Sequence, residues 1–276
     1  MKVGIAGIGL IGSSLARAYK QAGHEVFVHD IDTSIVQYSI LAGVSNGTLD
    51  ETTLPECELL LLAIHPTASE AYLRTAAPFL SKEALVIDCC GTKRAICEIG
   101  FALAKEYGFT YIGGHPMAGT QFSGFKNGRA NMFEGASMVL VPPAHTGAQT
   151  LQRIKDVLAP CGFGHLSITT AENHDRIIAF TSQLAHVVSN AYVKSPTARD
   201  HHGFSAGSYQ DLTRVAALNQ NMWAQLFLEN RDNLVQELDW LIGNLANVRD
   251  ALAANDEARV RDLMAEGTAL KREIDG

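Results

Sequence analysis

The sequence is short of charge and has no long apolar run. Charged residues are 18% of its 276 residues, below the roughly 25% of an average globular protein, while 47% are hydrophobic. That balance excludes an intrinsically disordered chain. Basic residues are the scarcer sign, 22 Lys and Arg against 29 Asp and Glu, for a net charge of −7. With no basic run, nucleic acid is not an expected partner. No apolar stretch approaches the roughly 18 residues of a membrane helix. The five cysteines are odd in number and contain no CxxC pair, so neither a disulfide framework nor a zinc cluster is expected. A reduced, cytoplasmic setting follows. His201-His202 reads as a surface pair, and no metal site is expected there. Internal repeats, low-complexity segments and flexible linkers are also missing.

What is present is alternation. Strand patterns at Lys2–Ala6, Glu25–His29, Leu59–Ala63, Leu85–Asp88, Thr110–Ile112, Met138–Val141 and His165–Ile168 are interspersed with helical patterns. Such alternation predicts a parallel, doubly wound α/β sheet. Beyond Ile168 strand signals stop. A helix capped by Thr169 or Thr170 is expected to run to about Lys194, and a helical region to cover Tyr209–Asn230. A stripe of Leu238, Leu241, Leu245, Val248 and Leu252 then reads equally as core or as a seam between subunits. At about 150 residues per domain, the length fits two domains: a dinucleotide-binding domain over 1–168 and a helical domain over 169–276.

The first strand runs into Gly7-Ile8-Gly9-Leu10-Ile11-Gly12, and Leu10 opens a helix. In this setting GxGxxG carries a mechanism. Gly7 permits the tight turn, Gly9 lets backbone approach a pyrophosphate, and Gly12 lets helix pack on strand. The helix N-terminus offers unpaired N–H groups to the phosphates. These same glycines interrupt what would otherwise imitate a signal peptide ending at Ala16-Arg17-Ala18. The second strand leads to Asp30, 18 residues beyond Gly12. A carboxylate there can accept bonds from both ribose hydroxyls and repel a 2′-phosphate, which points to NAD over NADP; its competing role is as a helix cap, alongside Asp32. His65 follows another strand end, where it can line the cofactor.

Polar residues with chemical potential gather in Asp88-Cys89-Cys90-Gly91-Thr92-Lys93, in Gly113-Gly114-His115-Pro116-Met117-Ala118-Gly119-Thr120, and in Asp211-Leu212-Thr213-Arg214. The first two follow strands, at the sheet edge where such folds bind ligands. His115, read as lying just past its strand with small neighbours that let a substrate approach, suits a base that takes a hydroxyl proton beside a nicotinamide. Arg214 presents a fork suited to a carboxylate. Lys93 reads equally as a second cation for the substrate or as support for its own loop. Cys89 and Cys90 read as packing residues.

These blocks, with ENHD at 172–175, SQLAH at 182–186, DLTRVA at 211–216, Met222-Trp223 and FLEN at 227–230, closely resemble the prephenate dehydrogenase family, including its arogenate-using members. The resemblance covers nearly the whole chain, and GGHPMAG is its most specific part. It implies a dinucleotide-binding domain followed by a helical dimerisation domain, hence a homodimer. The implied reaction is NAD-dependent oxidative decarboxylation of prephenate to 4-hydroxyphenylpyruvate in tyrosine biosynthesis. By position, His115 matches the catalytic histidine, His186 a substrate-binding histidine and Arg214 the carboxylate-binding arginine, with Thr120 and Trp223 near the pocket. Gly91 stands where the family carries a serine that helps hold the catalytic histidine, and Thr92 is the candidate replacement. Gln121 stands where an acidic residue is common. The competing readings are arogenate as substrate, a beta-hydroxyacid dehydrogenase, and a dinucleotide-sensing module without catalysis. The second is disfavoured because the only lysine on the first long helix, Lys194, lies at its end. The third is disfavoured by His115 and Arg214.

Overall fold

The structure, a computed structural model, describes residues 1–120 and 122–275. The chain packs as two compact units: Met1–Ile178 with Ala217–Glu229, and Ala179–Ala216 with Asn230–Gly276.

The first unit is built on a sheet of eight strands among the described residues: β1 (Lys2–Ala6), β2 (Glu25–His29), β3 (Gly47–Thr48), β4 (Leu59–Leu62), β5 (Leu85–Asp88), β6 (Thr110–Pro116), β7 (Ser137–Val141) and β8 (His165–Ile168). Their order is β3-β2-β1-β4-β5-β6-β7-β8. The first six are parallel, β7 is antiparallel to β6, and β8 is parallel to β7. Helices α1 (Leu10–Gln21), α2 (Thr33–Leu41), α3 (Pro66–Ala76), α4 (Arg94–Tyr107) and α5 (Ala148–Leu158) connect strands; α6 (Ala171–Ile178) follows β8, and α9 (Gln220–Glu229) returns to this unit later in the chain.

Strand alternation sorts the core onto the two faces. Leu59 and Leu61 of β4 join one cluster with Val3, Ile5 and Ile87; Leu60 and Leu62 join the other with Val86 and Tyr111. A strand apolar at every position is what a sheet covered on both sides requires.

Three differences from the sequence expectation have local causes. The strand containing Thr110–Ile112 continues to Pro116, because Gly113–Pro116 pair with Met138–Val141 of β7. His115 is therefore inside a strand, opposite Val139, and not past its end. The two residues of β3 are too few to carry periodicity. The expected helix to Lys194 is capped by Thr170, whose Oγ1 accepts from Asn173 N at 3.2 Å, but α-helical geometry gives way to a π turn at Ala179–Leu184 before α7 (Ala185–Tyr192).

The second unit is helical: the π turn, α7, α8 (Gly207–Thr213), α10 (Arg231–Ala253) and α11 (Glu257–Asp275). The Tyr209–Asn230 region is thus two helices, α8 and α9, interrupted between Thr213 and Gln220. Asn230 Nδ2 donates to Gln183 Oε1 at 2.9 Å, tying the start of α10 to the π turn. Along α10, Leu234 and Ala251 are buried, but Leu245 and Leu252 are 59% and 62% exposed. Leu238, Leu241 and Val248 of the stripe are half-buried, so it is neither fully core nor fully exposed in this chain. No described helix is long and apolar enough to cross a membrane.

Candidate functional site

The strand order reverses between β1 and β4, where ligand crevices form in open α/β sheets. Gly7 follows β1 with φ of +85°, and a Cβ there would meet Ala63 O at 2.6 Å. A Cβ on Gly12 would meet Gly7 O at 1.8 Å. Protein packing accounts for both. Gly9 is different: a Cβ there would meet nothing within 4 Å. Its bareness is unused by the protein and leaves backbone open to a ligand. Gly9 also caps α1 without a side-chain bond, and the first turn of that helix has no acidic residue. The unpaired N–H groups and the positive end of the dipole suit an anion.

Asp30 is placed beside this turn. Its Oδ2 accepts from Ile8 N at 2.9 Å and its Oδ1 from Asp32 N at 3.0 Å. The cap of α2 is Asp32, which accepts from Ser34 N at 3.0 Å, so Asp30 is not used as a cap. Each Asp30 oxygen has a second lone pair for a ribose hydroxyl. Exposed His65 precedes Pro66 at the start of α3, near the end of β4. These residues fit a dinucleotide.

Next to this, Asp88 at the end of β5 is a buried hub. It accepts from Cys90 N at 2.9 Å, Tyr111 OH at 2.7 Å, Gly114 N at 3.1 Å and the Lys93 ammonium. Lys93 is fully buried. Burial works against its charge, but Asp88 and the neighbouring thiols outweigh that and raise its pKa. Lys93 therefore supports its loop. Gly113 and Gly114 also serve packing: Cβ atoms there would meet Cys97 Sγ at 2.4 Å and Asp88 O at 2.3 Å. They bring β6 onto β5 and α4, and do not open space beside His115.

His115 is partly buried, with Nδ1 2.9 Å from His174 Nε2. His174 Nδ1 is 2.7 Å from Asp175 Oδ1. Asp175 also accepts from Lys93 N at 2.7 Å, Arg94 N at 3.0 Å and Arg94 Nε at 3.3 Å. Burial alone would raise the Asp175 pKa; the bonds from His174 and the two backbone N–H groups reverse this and lower it. The His115 pKa is held well below the ordinary value by burial first, then by His174 and Lys93, with Asp175 partly opposing. His115 is thus a neutral imidazole, as a proton acceptor must be.

Thr92 donates its hydroxyl to Glu229 at 2.5 Å, and Gln225 Nε2 donates to the same carboxylate at 2.7 Å. The hydroxyl offered as a replacement for the family serine is therefore committed to α9. A Cβ on Gly91 would meet Leu226 Cδ2 at 3.3 Å. Trp223, on the same helix, lies with its ring 5.3 Å from that of Phe227. Thr120 is exposed, its Oγ1 accepting from Phe122 N at 3.2 Å. Gln121 lies outside the described residues.

In the second unit, His186 Nδ1 donates to Ser182 O at 2.8 Å. Burial, followed by the positive charge of Arg214, lowers its pKa against the opposing bond to Ser182. Arg214 is exposed at the end of α8 and electrically close to His186. The structure thus gathers two groups: the glycine turn, Asp30, His65, Thr92, His115 and Trp223 in the first unit, and His186 with Arg214 in the second. Motif reading of single residues missed His174, Asp175 and Glu229. The block ENHD carried a signal for the first two, since it follows a strand end and joins an imidazole to a carboxylate.

Comparison with known proteins bears on these residues as blocks. The family model described as prephenate dehydrogenase, nucleotide-binding domain, matches residues 15–166; the model described as prephenate dehydrogenase, dimerization domain, matches 170–266. The chain is 31% identical over 268 residues to cyclohexadienyl dehydrogenase of Zymomonas mobilis, covering 92% of this chain and 89% of that protein. It is similar in fold to Synechocystis arogenate dehydrogenase, with TM-score 0.81 and 24% identity over 99% of this chain and 100% of that one. It is equally similar to prephenate dehydrogenase from A. aeolicus, solved with hydroxyphenyl propionate and NAD+, with TM-score 0.81 and 24% identity over 99% and 98% of the two chains.

Proposed function

The chain belongs to the prephenate dehydrogenase family, and from that premise we propose that it converts prephenate and NAD to 4-hydroxyphenylpyruvate, carbon dioxide and NADH. The observation that carries this reading is His115: a neutral imidazole at the ligand edge of a dinucleotide-binding sheet, with Nδ1 engaged by His174. Its Nε2 is the basic nitrogen for the ring hydroxyl.

The turn at Gly7–Gly12 and the start of α1 would hold the pyrophosphate, and Asp30 would accept the ribose hydroxyls. His65 would flank the cofactor. A 2′-phosphate would meet the Asp30 carboxylate, which favours NAD over NADP. Bound NAD supplies the acceptor for the hydride leaving the hydroxyl-bearing carbon. His115 takes the hydroxyl proton as the carbonyl forms. The ring carboxylate departs as carbon dioxide, and the ring becomes aromatic. The substrate is a dianion, so a protein of net charge −7 needs local cations. Arg214 is assigned one carboxylate and His186 a supporting bond, because Lys93 is spent on Asp88. Thr120 and Trp223 are assigned to the pocket wall, and Thr92 to holding α9 against the 88–94 loop.

Arogenate is the second reading, supported by the likeness to the Synechocystis enzyme. NADH formation from each substrate by the purified protein separates the two. His115→Asn is expected to abolish turnover while leaving NAD binding within about threefold; near-normal turnover would refute the base assignment.

A homodimer fits the exposed Trp240, Ile242, Leu245 and Leu252 of α10 with Met264 and Leu270 of α11, and the match to a dimerization domain. Five free thiols fit a reducing, cytoplasmic compartment.

A further inference from the structure

We propose that Asp175 and His174 are positioning residues that hold His115 in the tautomer carrying its proton on Nδ1, leaving Nε2 as the base. The proposal deepens the functional reading above and rests on it for its kinetic consequences, but not for its structural ones.

The direction of the chain follows from what each group can do. An ionised carboxylate only accepts hydrogen bonds. Asp175 is surrounded by donors: the N–H groups of Lys93 and Arg94, the Arg94 guanidinium and His174. It is 1% exposed, so water does not compete for it. Across the 2.7 Å contact, therefore, His174 Nδ1 is the donor. A neutral imidazole has one donor nitrogen and one acceptor nitrogen. With its proton committed to Asp175, His174 offers a lone pair on Nε2. That lone pair lies 2.9 Å from His115 Nδ1, which must then donate. Each bond sets the next, and the last one leaves His115 with an unprotonated Nε2.

The chain is anchored where it begins. Asp175 bridges the first residues of α4 through two backbone N–H groups, and His174 is its neighbour on α6. His115 sits in β6, itself fixed between β5 and β7. Three elements of the sheet unit therefore hold the three members. When His115 accepts a proton at Nε2, it becomes a cation whose Nδ1–H still points along a chain ending in an anion. The arrangement parallels the carboxylate–imidazole logic of the hydrolytic triads, with a second histidine inserted. It supplies the hold on the catalytic imidazole that the family assigns to a serine at position 91, where this chain has glycine and where Thr92 points to Glu229 instead.

The test is tautomer detection by ¹⁵N–¹H correlation of histidine-labelled full-length protein at pH 8, with His115 assigned by the signal lost in His115→Asn. The expected result is a proton on Nδ1 and a bare Nε2. Asp175→Asn can donate to His174 Nδ1 and turn the chain around, so His115 is expected to move its proton to Nε2. With whichever of prephenate or arogenate is the substrate, kcat is expected to fall about 10²- to 10⁴-fold, as when an orienting carboxylate is amidated in a triad. KM and NAD affinity are expected to stay within about threefold, and Asp175→Glu to recover part of kcat. A wild-type His115 protonated on Nε2, as a doubly protonated His174 would produce, overturns the proposal. So does an unchanged tautomer in Asp175→Asn with kcat within about threefold of wild type. If neither substrate turns over, the proposed function fails, while the wild-type spectrum still decides the tautomer even where Asp175→Asn does not fold.

Discussion

Two buried carboxylates, Asp88 and Asp175, both bond to the 88–94 segment and do different work. Asp88 is a closed system. Its charge is cancelled by a fully buried lysine, and its remaining acceptor capacity is filled by Tyr111, Cys90 and Gly114. Asp175 is likewise saturated by donors, but one of them is an imidazole whose far nitrogen reaches a second imidazole. The same desolvated anion is thus a structural clamp in one place and the root of a proton-directing chain in the other. The difference lies in the partner. An ammonium ends the network, because every hydrogen it has is a donor; an imidazole passes direction through its two nitrogens.

Removing each anion should separate the two roles. The largest effect on folding is expected for Asp88→Asn, which strands the Lys93 ammonium without a counter-ion. A loss of about 3–5 kcal/mol in denaturant unfolding is expected. A loss under 1 kcal/mol would mean that the pair is not the clamp. Adding Lys93→Met to Asp88→Asn should recover much of the stability, because no uncompensated charge then remains.

A smaller effect is expected at the exposed cation. Arg214→Ala removes charge-assisted bonds of about 1.5–3 kcal/mol, or roughly 10- to 150-fold in KM. Stability should be unchanged, and a KM change under threefold would remove Arg214 from the substrate. The protonation of His115 gives a milder signature. Burial and the nearby Lys93 ammonium favour its neutral form, so the acid limb of kcat/KM should fall below pH 6.5, the ordinary histidine value. A limb above that value would contradict the burial of the ring.

The smallest effect is expected for Gly91→Ser. Its Cβ would meet only the end of the Leu226 side chain, at 3.3 Å, which can shift by a few tenths of an ångström. Stability is expected to change by less than about 1 kcal/mol. A large loss would show that the loop, like Asp88, is packed shut.

Much of this was legible without coordinates. The apolar run Leu59–Leu62 announced a strand buried on both faces, and GxGxxG between a strand and a helix announced the dinucleotide turn. Both are local signals, written in spacing. The extension of β6 to His115 was not legible, because it depends on antiparallel pairing with a strand more than 20 residues away. Gly113 and Gly114 looked like room for substrate, whereas Cys97 and Asp88 fill the space. Lys93 read equally as a substrate cation or as support for its loop, and its burial against Asp88 favours the loop.

The order of elements, the cofactor turn and the identity of the candidate base were determined by the sequence itself, since each depends on residues close together in the chain. Only the tertiary structure decided what the base is bonded to. His115 and His174 are 59 positions apart, and Asp175 meets the N–H groups of residues some 80 positions earlier. Hydrogen-bond direction is a property of neighbours in space, and no spacing in the chain encodes it.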